Sequence, residues 1–189
     1  MNKSISLILV LLFLASCGGG GGSDAPSPSA PSPDTSAPVI SAPDSISVAA
    51  ESANGTSAAD AVIAGFLNVT AVDNVDGTVA VTNDAPAVFP LGSTTVTFSA
   101  SDRAGNDALQ VIRTVTVFDA DAPVISLNGA SSVNHVYGTV YTDMGAAAVD
   151  AVDGSVVVTT QGAVDVNAVG AYSLVYSAVD SEGNAALQV

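Results

Sequence analysis

Thr95-Val96-Thr97-Phe98-Ser99-Ala100-Ser101-Asp102-Arg103-Ala104-Gly105-Asn106 decides the fold. Val96, Phe98 and Ala100 fall on one side of a two-residue alternation and hydroxyls on the other, the pattern of a strand with one buried face. Thr and Val are stiff at χ1 and favour pleated structure. The Asp ahead of Gly-Asn then ties a turn, because Asp bonds nearby backbone and Gly accepts positive φ.

The same pattern returns downstream. Gly92, Val96, Phe98, Ala100 and Asp102 to Asn106 recur as Gly170, Leu174, Tyr176, Ala178 and Asp180 to Asn184, at an offset of 78. Asp73-Asn74-Val75-Asp76-Gly77 recurs as Asp150-Ala151-Val152-Asp153-Gly154 at an offset of 77. Ala37-Pro38-Val39-Ile40-Ser41 recurs as Ala122-Pro123-Val124-Ile125-Ser126 at an offset of 85. Ordered matches at near-constant spacing mean two copies of one fold. Val115 to Val117, Val156 to Thr159 and Tyr172 to Tyr176 also read as strand. Turn residues punctuate the chain about every 8–12 positions, as in a β-sandwich. One helical turn is expected over Ser57 to Ile63, among alanines. The chain is therefore expected to be all-β, with two tandem sandwiches.

Composition narrows the function. The chain has 189 residues, 3 Lys+Arg against 18 Asp+Glu, and a net charge of −15. That charge excludes nucleic-acid binding, which needs clustered Lys and Arg, and electrostatic docking on anionic lipid. A single Cys rules out an internal disulfide and a cysteine zinc cluster. A single His removes most His-dependent catalysis and multi-His metal sites. Apolar residues make up 48% and aromatics only 5%, so the core is built mainly from Val, Ile, Leu and Ala.

The N-terminus is a separate region. Lys3 precedes an apolar run, Ile5 to Leu14, broken only by Ser6. A bilayer span needs about 20 residues, so this run fits the core of a signal peptide over residues 1–16 instead. Leu14-Ala15-Ser16-Cys17 follows and resembles the bacterial lipobox. The alternative, a buried helix and an idle thiol, is opposed by the glycines that come next. The resemblance implies that Cys17 carries lipid and holds the chain on a membrane. Gly18 after it favours the outer membrane, by the sorting rule of such lipoproteins, and exposure at the cell surface is expected with it. Residues 17–36 are Gly-, Ser- and Pro-rich, the composition of a tether rather than a packed domain. Fully extended, such a tether spans about 60 Å.

Residues 37–119 resemble a hyalin repeat (HYR) domain, on Val88-Phe89-Pro90-Leu91-Gly92, the Val96–Ala100 alternation and Asp102-Arg103-Ala104-Gly105-Asn106. The cysteine pair of many HYR domains is lacking. Residues 120–189 resemble a bacterial Ig-like surface domain, on Tyr141-Thr142-Asp143-Met144-Gly145-Ala146, Asp150 to Gly154 and Val169-Gly170-Ala171-Tyr172. Both resemblances imply immunoglobulin-like sandwiches used for adhesion or spacing, without catalysis. Ala108-Leu109-Gln110-Val111 matches Ala186-Leu187-Gln188-Val189, and the first copy then runs on to Asp119. The final strand of the second copy is accordingly expected to lie beyond Val189.

The acids offer one chemistry. Asp73, Asp76, Asp119, Asp121, Asp150 and Asp153 form a candidate calcium ligand set, since calcium takes six to eight oxygens. Asp119-Ala120-Asp121 joins the two units, and its alternating acids are similar to those of cadherin linkers. Asp-x-x-Asp-Gly is equally a good turn sequence, and both readings stand on the sequence. His135 is expected on a strand without a catalytic role. Arg113 interrupts the apolar alternation, which points to a bulge or an edge. Tyr137 and Tyr141 fit core or rim packing better than a glycan platform.

The function expected is a lipid-anchored surface protein whose domains adhere or space, with surface proteins or polysaccharides as partners. Two alternatives stay open. One is the stalk of a surface enzyme whose catalytic domain lies beyond Val189. The other is a glycan-binding module.

Overall fold

Strand-forming stretches in the first copy pair into two facing sheets. The structure, a computed structural model, describes residues 32–189, and Cys17, the expected signal peptide and most of the expected tether lie outside them. The first module holds β1 (Val39–Ser41), β2 (Ile46–Ala49), β3 (Thr56–Ser57), α1 (Ala61–Leu67), β4 (Thr70–Asp73) and β5 (Gly77–Val79). It continues with β6 (Val81–Asn83), β7 (Val88–Phe89), β8 (Gly92–Ala100) and β9 (Val111–Phe118). One sheet runs β1-β4-β5 and the other β2-β9-β8-β6, with β3-β7 as a separate pair. β2 lies parallel to β9, and the other pairs are antiparallel.

The alternation read from the sequence decides what is inside. Val96 and Phe98 on β8 and Val115 and Val117 on β9 are buried with Val48 of β2 and Phe89 of β7. Helix α1 closes this cluster with Ile63 and Phe66, three residues apart and so on one face. Phe66 meets Phe98 edge-to-face, with ring centroids 5.8 Å apart. The helix lies later than the turn expected at Ser57 to Ile63. Ser57 is drawn into β3, and Asp60 supplies the stronger start by accepting from the N–H groups of Val62 and Ile63.

Arg113 corrects a second expectation. Strands β8 and β9 pair without a break from Gly92↔Val117 to Phe98↔Val111, so there is no bulge, and β9 lies between β2 and β8 rather than at an edge. The β2–β9 pairing starts only at Ile46↔Val115. Arg113 lies just outside it, and its Nε donates to the carbonyl of Pro43 at 2.8 Å. A long side chain at the strand's open end thus replaces a missing backbone partner.

The second module holds β10 (Val124–Leu127), β11 (Ala146–Asp150), β12 (Gly154–Val156), β13 (Val158–Gln161) and β14 (Val175–Ala178). Its sheets are β10-β11-β12 and β13-β14. The chain leaves one sheet for the other at Ala80 in the first module and at Val157 in the second, so the apolar run Val156 to Thr159 is two strands and not one. Val157 at the crossing is exposed. Tyr172 to Leu174 precede β14, because its partner β13 ends at Gln161, paired with Val175. His135 lies outside any strand, with Nε2 3.0 Å from the carbonyl oxygen of Thr139 and its ring edge-to-face with Tyr141.

One inner cluster is the same in both modules, residue for residue. Ala71, Ala100 and Ala108 pack with Ile40, Val79 and Val81 in the first. Ala148, Ala178 and Ala186 pack with Ile125, Val156 and Val158 in the second. Alanine's small side chain lets the two sheets approach closely there. The larger aromatic cluster differs. Where the first module has Phe98 under α1, the second has Tyr176 beside a cleft of about 960 Å³ lined by Leu127, Met144, Val164 and Leu174 among others. The interval from β10 to β11 is shorter than that from β1 to β4 and holds no helix.

Tyr176 is buried, and its hydroxyl donates to Asp143 at 2.6 Å. This bond, followed by burial, pushes the phenol up to about 12, while it also lowers the Asp143 carboxyl. Because the native pKa lies above the ordinary 10.0, the phenol's contribution to stability is whole below pH 10 and is lost between 10 and about 12. Titration of phenolate absorbance should therefore show Tyr176 ionising near 12, and Asp143→Asn should bring that step back towards 10. An unchanged titration in the variant would break the assignment.

Candidate functional site

Three kinds of acid-led turn converge at one end of each module. The first is the hairpin turn. Asp73 Oδ1 accepts from the N–H groups of Val75 and Asp76 at 2.7 and 2.8 Å. Asp150 Oδ1 accepts from those of Val152 and Asp153 at 2.7 and 3.0 Å. The glycine that follows, Gly77 or Gly154, has φ of +74° and returns the chain into the next strand. The turn reading of Asp-x-x-Asp-Gly is therefore right for the first Asp of each.

The second turn follows β8 or β14. Asp102 accepts from the Asn106 N–H at 2.8 Å and from the Asn106 side chain at 2.7 Å. Asp180 accepts from the N–H groups of Gly183 and Asn184, each at 2.7 Å, and from the Asn184 side chain at 2.8 Å. The third acid lies in the segment entering each module. Asp34 accepts from the Ser36 N–H and Asp119 from the Asp121 N–H, both at 3.0 Å. The Asn106 side chain also donates to the Asp34 carbonyl at 3.3 Å, and Asn184 does the same to Asp119 at 3.4 Å. Each asparagine thus clips the entering segment to its module.

The result is two matching clusters. Asp34, Asp73 and Asp102 each offer a carboxylate oxygen within 4.8 Å of the others, and so do Asp119, Asp150 and Asp180. Asp119 further groups with Asp153 and Glu182. The turns use only one oxygen of several of these carboxylates. Oδ2 of Asp73, Asp119 and Asp150 is buried without a hydrogen-bond partner among the described residues. Asp119 and Asp150 are only 5% and 4% exposed, so those oxygens are withdrawn from bulk solvent.

Charge follows from this geometry. Burial pushes the Asp119 carboxyl above the usual range; the Asp121 N–H opposes it, and the charges of Asp150, Asp180 and Asp153 add to the rise. Burial also works against the charge of Asp180, but the hydrogen bonds from Asn184, Gly183 and Glu182 outweigh it and hold that carboxyl low. Asp102 is held low in the same way by Asn106, Gly105 and Ala104, against the effect of burial. The surroundings of the second acid of the hairpin turn differ between the modules. In the first, Asp76 accepts from the Arg103 N–H at 2.7 Å and lies 3.7 Å from its exposed guanidinium. In the second, the matching residue is Ser181, which donates to Asp153 and brings no positive charge.

Of the acids picked out from the sequence, Asp119 groups with Asp150 in one cluster and with Asp153 in another, while Asp73 and Asp76 share the other module's turn. Asp121 is exposed and belongs to neither cluster; it contributes its backbone N–H. Sequence reasoning passed over Asp34, Asp102, Asp180 and Glu182. The signal for Asp34 was present, since it precedes Ala37-Pro38 by the same three residues that separate Asp119 from Ala122-Pro123. Asp102 and Asp180 read as turn residues, and they are; nothing local shows that their turns face the other acids. Cys17, the lipidation candidate, lies outside the described residues.

Comparison with known families agrees with the two-module division. Residues 33–117 match the HYR domain. Residues 125–188 match the Ig-like domain of bacterial surface proteins. No curated protein matches the chain.

Proposed function

From an HYR domain followed by a bacterial surface Ig-like domain, we propose that the chain is a lipid-anchored, non-catalytic surface protein whose modules hold an adhesive face away from the membrane. The match of residues 125–188 to the Ig-like domain of bacterial surface proteins, behind an HYR domain, supports a surface module for adhesion or spacing. The observation that carries the proposal is the repeated entry seam. Each module starts with an acid, Asp34 or Asp119, that an asparagine of the same module clips in place. Such a unit can be stacked end to end, which is what a spacer requires.

The anchor is proposed on the lipobox resemblance at Cys17, and outer-membrane display on Gly18 after it. Absence of catalysis is proposed on the scarcity of catalytic groups, with one His and one Cys in the chain. The His135 ring contacts Thr139 and Tyr141 rather than an acid that would orient it as a base. Candidate partners are surface proteins or polysaccharides.

Fractionation of cells producing the full chain tests the proposal. The chain should enter the membrane fraction, label with a clickable fatty acid and be cut by protease added to intact cells. Cys17→Ser should abolish the label and release the chain to the soluble fraction. A wild-type chain that stays soluble and unlabelled would overturn the anchor.

A further inference from the structure

The geometry points to one calcium ion held in the second module by Asp119, Asp150 and Asp180, at the seam with the first module. This inference concerns binding alone and stands whether or not Cys17 is lipidated.

The acids by themselves would prove little, because acidic turns are common on protein surfaces. The buried oxygens are the independent observation. Asp119 Oδ2 and Asp150 Oδ2 are buried and have no hydrogen-bond donor among the described residues. A buried carboxylate oxygen without a partner carries a heavy desolvation cost, and such groups are paired or bind a metal. Here two belong to one cluster of three carboxylates. Arg103, which pairs with Asp76 in the first module, is matched here by Ser181 beside Asp153, so that ion pair has no counterpart among the described residues.

Distance and ligand type select the ion. Oxygens within 4.8 Å of one another fit on a sphere of the calcium–oxygen radius, which is about 2.3–2.6 Å. All the ligands are hard oxygens, with no imidazole or thiolate among them, so zinc and copper are disfavoured. Asp153 and Glu182, which group with Asp119, widen the oxygen supply towards the six to eight that calcium takes. Magnesium needs a tighter octahedron and keeps its waters, which suits dry, buried carboxylates poorly.

The position gives the ion a mechanical role. Asp119 belongs to the entering segment, Asp150 to the hairpin turn and Asp180 to the turn after β14. Val152, inside the Asp150 turn, is buried in the same cluster as Val48, Ala50 and Val117 of the first module. Its counterpart Val75 is exposed. Calcium would therefore fix the linker, the second module and the turn that touches the first module in a single arrangement.

The test uses the purified full-length chain, stripped with chelator and titrated calorimetrically with calcium chloride. Saturable binding is expected, and Tm should rise by roughly 10 °C at a hundredfold excess over Kd. Magnesium chloride or sodium chloride at matched ionic strength should give a much smaller shift. Asp150→Asn should remove one bound calcium per chain. It should also raise Tm in chelator, because the amide keeps the acceptor for Val152 and Asp153 and puts a donor where the unpaired oxygen lies. Asp165→Asn, at an exposed turn outside both clusters, should bind as wild type. The inference is overturned if the wild-type chain shows no saturable calcium isotherm, if the three salts act alike, or if Asp150→Asn binds undiminished. Should that variant fail to fold, Asp180→Asn takes its place, and undiminished binding there likewise overturns the inference.

Discussion

Phe98→Ala should melt the first module at least about 15 °C below wild type, the largest loss expected from any core substitution here. Phe98 is fully buried on β8 and is paired across the sheet with Val111. Its ring meets Phe66 of α1 edge-to-face. Truncating a buried Phe to Ala costs about 3–5 kcal/mol through lost transfer energy and the cavity left behind. Loss of the aromatic pair is part of that cost. A module of this size has only about 5–15 kcal/mol of stability in all. Few neighbours can collapse into the space, because Val96, Val115 and Val117 are held by their own strands. Scanning calorimetry would resolve the transition, and an unchanged Tm would contradict the packing of α1 on β8.

Gly55→Ala should cost roughly 3 kcal/mol or more, for a reason unrelated to apolar burial. Gly55 has φ of +100°, and a Cβ there would lie 1.9 Å from the carbonyl oxygen of Phe89. It would also lie 2.9 Å from Phe89 C and Pro90 Cα. All three are backbone atoms, so no rotamer change relieves the clash. The chain would have to pull β3 from β7, breaking the Thr56↔Phe89 pair. Thr56 is 1% exposed and its hydroxyl donates to the Ala49 carbonyl at 2.8 Å, so the strain would spread towards β2. Gly105→Ala is the control. Its φ is +89°, yet nothing lies within 4 Å of the added Cβ, so it should cost only about 1–2 kcal/mol of backbone strain. Equal denaturant midpoints for the two variants would remove the close approach as the cause.

These two positions show why the fold was partly legible. Phe98 announces itself, because a period of two with Val96 and Ala100 places it inside whatever the strand's partners are. Gly55 does not, since Asn54-Gly55 reads as an ordinary turn and the carbonyl it touches lies more than thirty residues away. Arg113 shows the converse. It breaks the alternation in sequence, yet β9 runs straight through it because Pro43 lends a carbonyl where β2 has not begun. The helix moved for a similar reason. Alanine tolerance is a weak local preference, and pairing of Ser57 with Val88 outweighed it.

The sequence by itself determined the two-module repeat, the alternation that fills the inner clusters, and the hairpin turns of Asp73 and Asp150. These depend on neighbours within a few residues, where side-chain period and turn chemistry act directly. Only the tertiary structure decided which acids meet. Asp119, Asp150 and Asp180 lie about thirty residues apart along the chain, on an entering segment and two turns from different sheets. No local pattern encodes that convergence, and none shows that burial would leave two of their oxygens without partners. Both follow from sheet packing, which brings the turns to one end and closes water out.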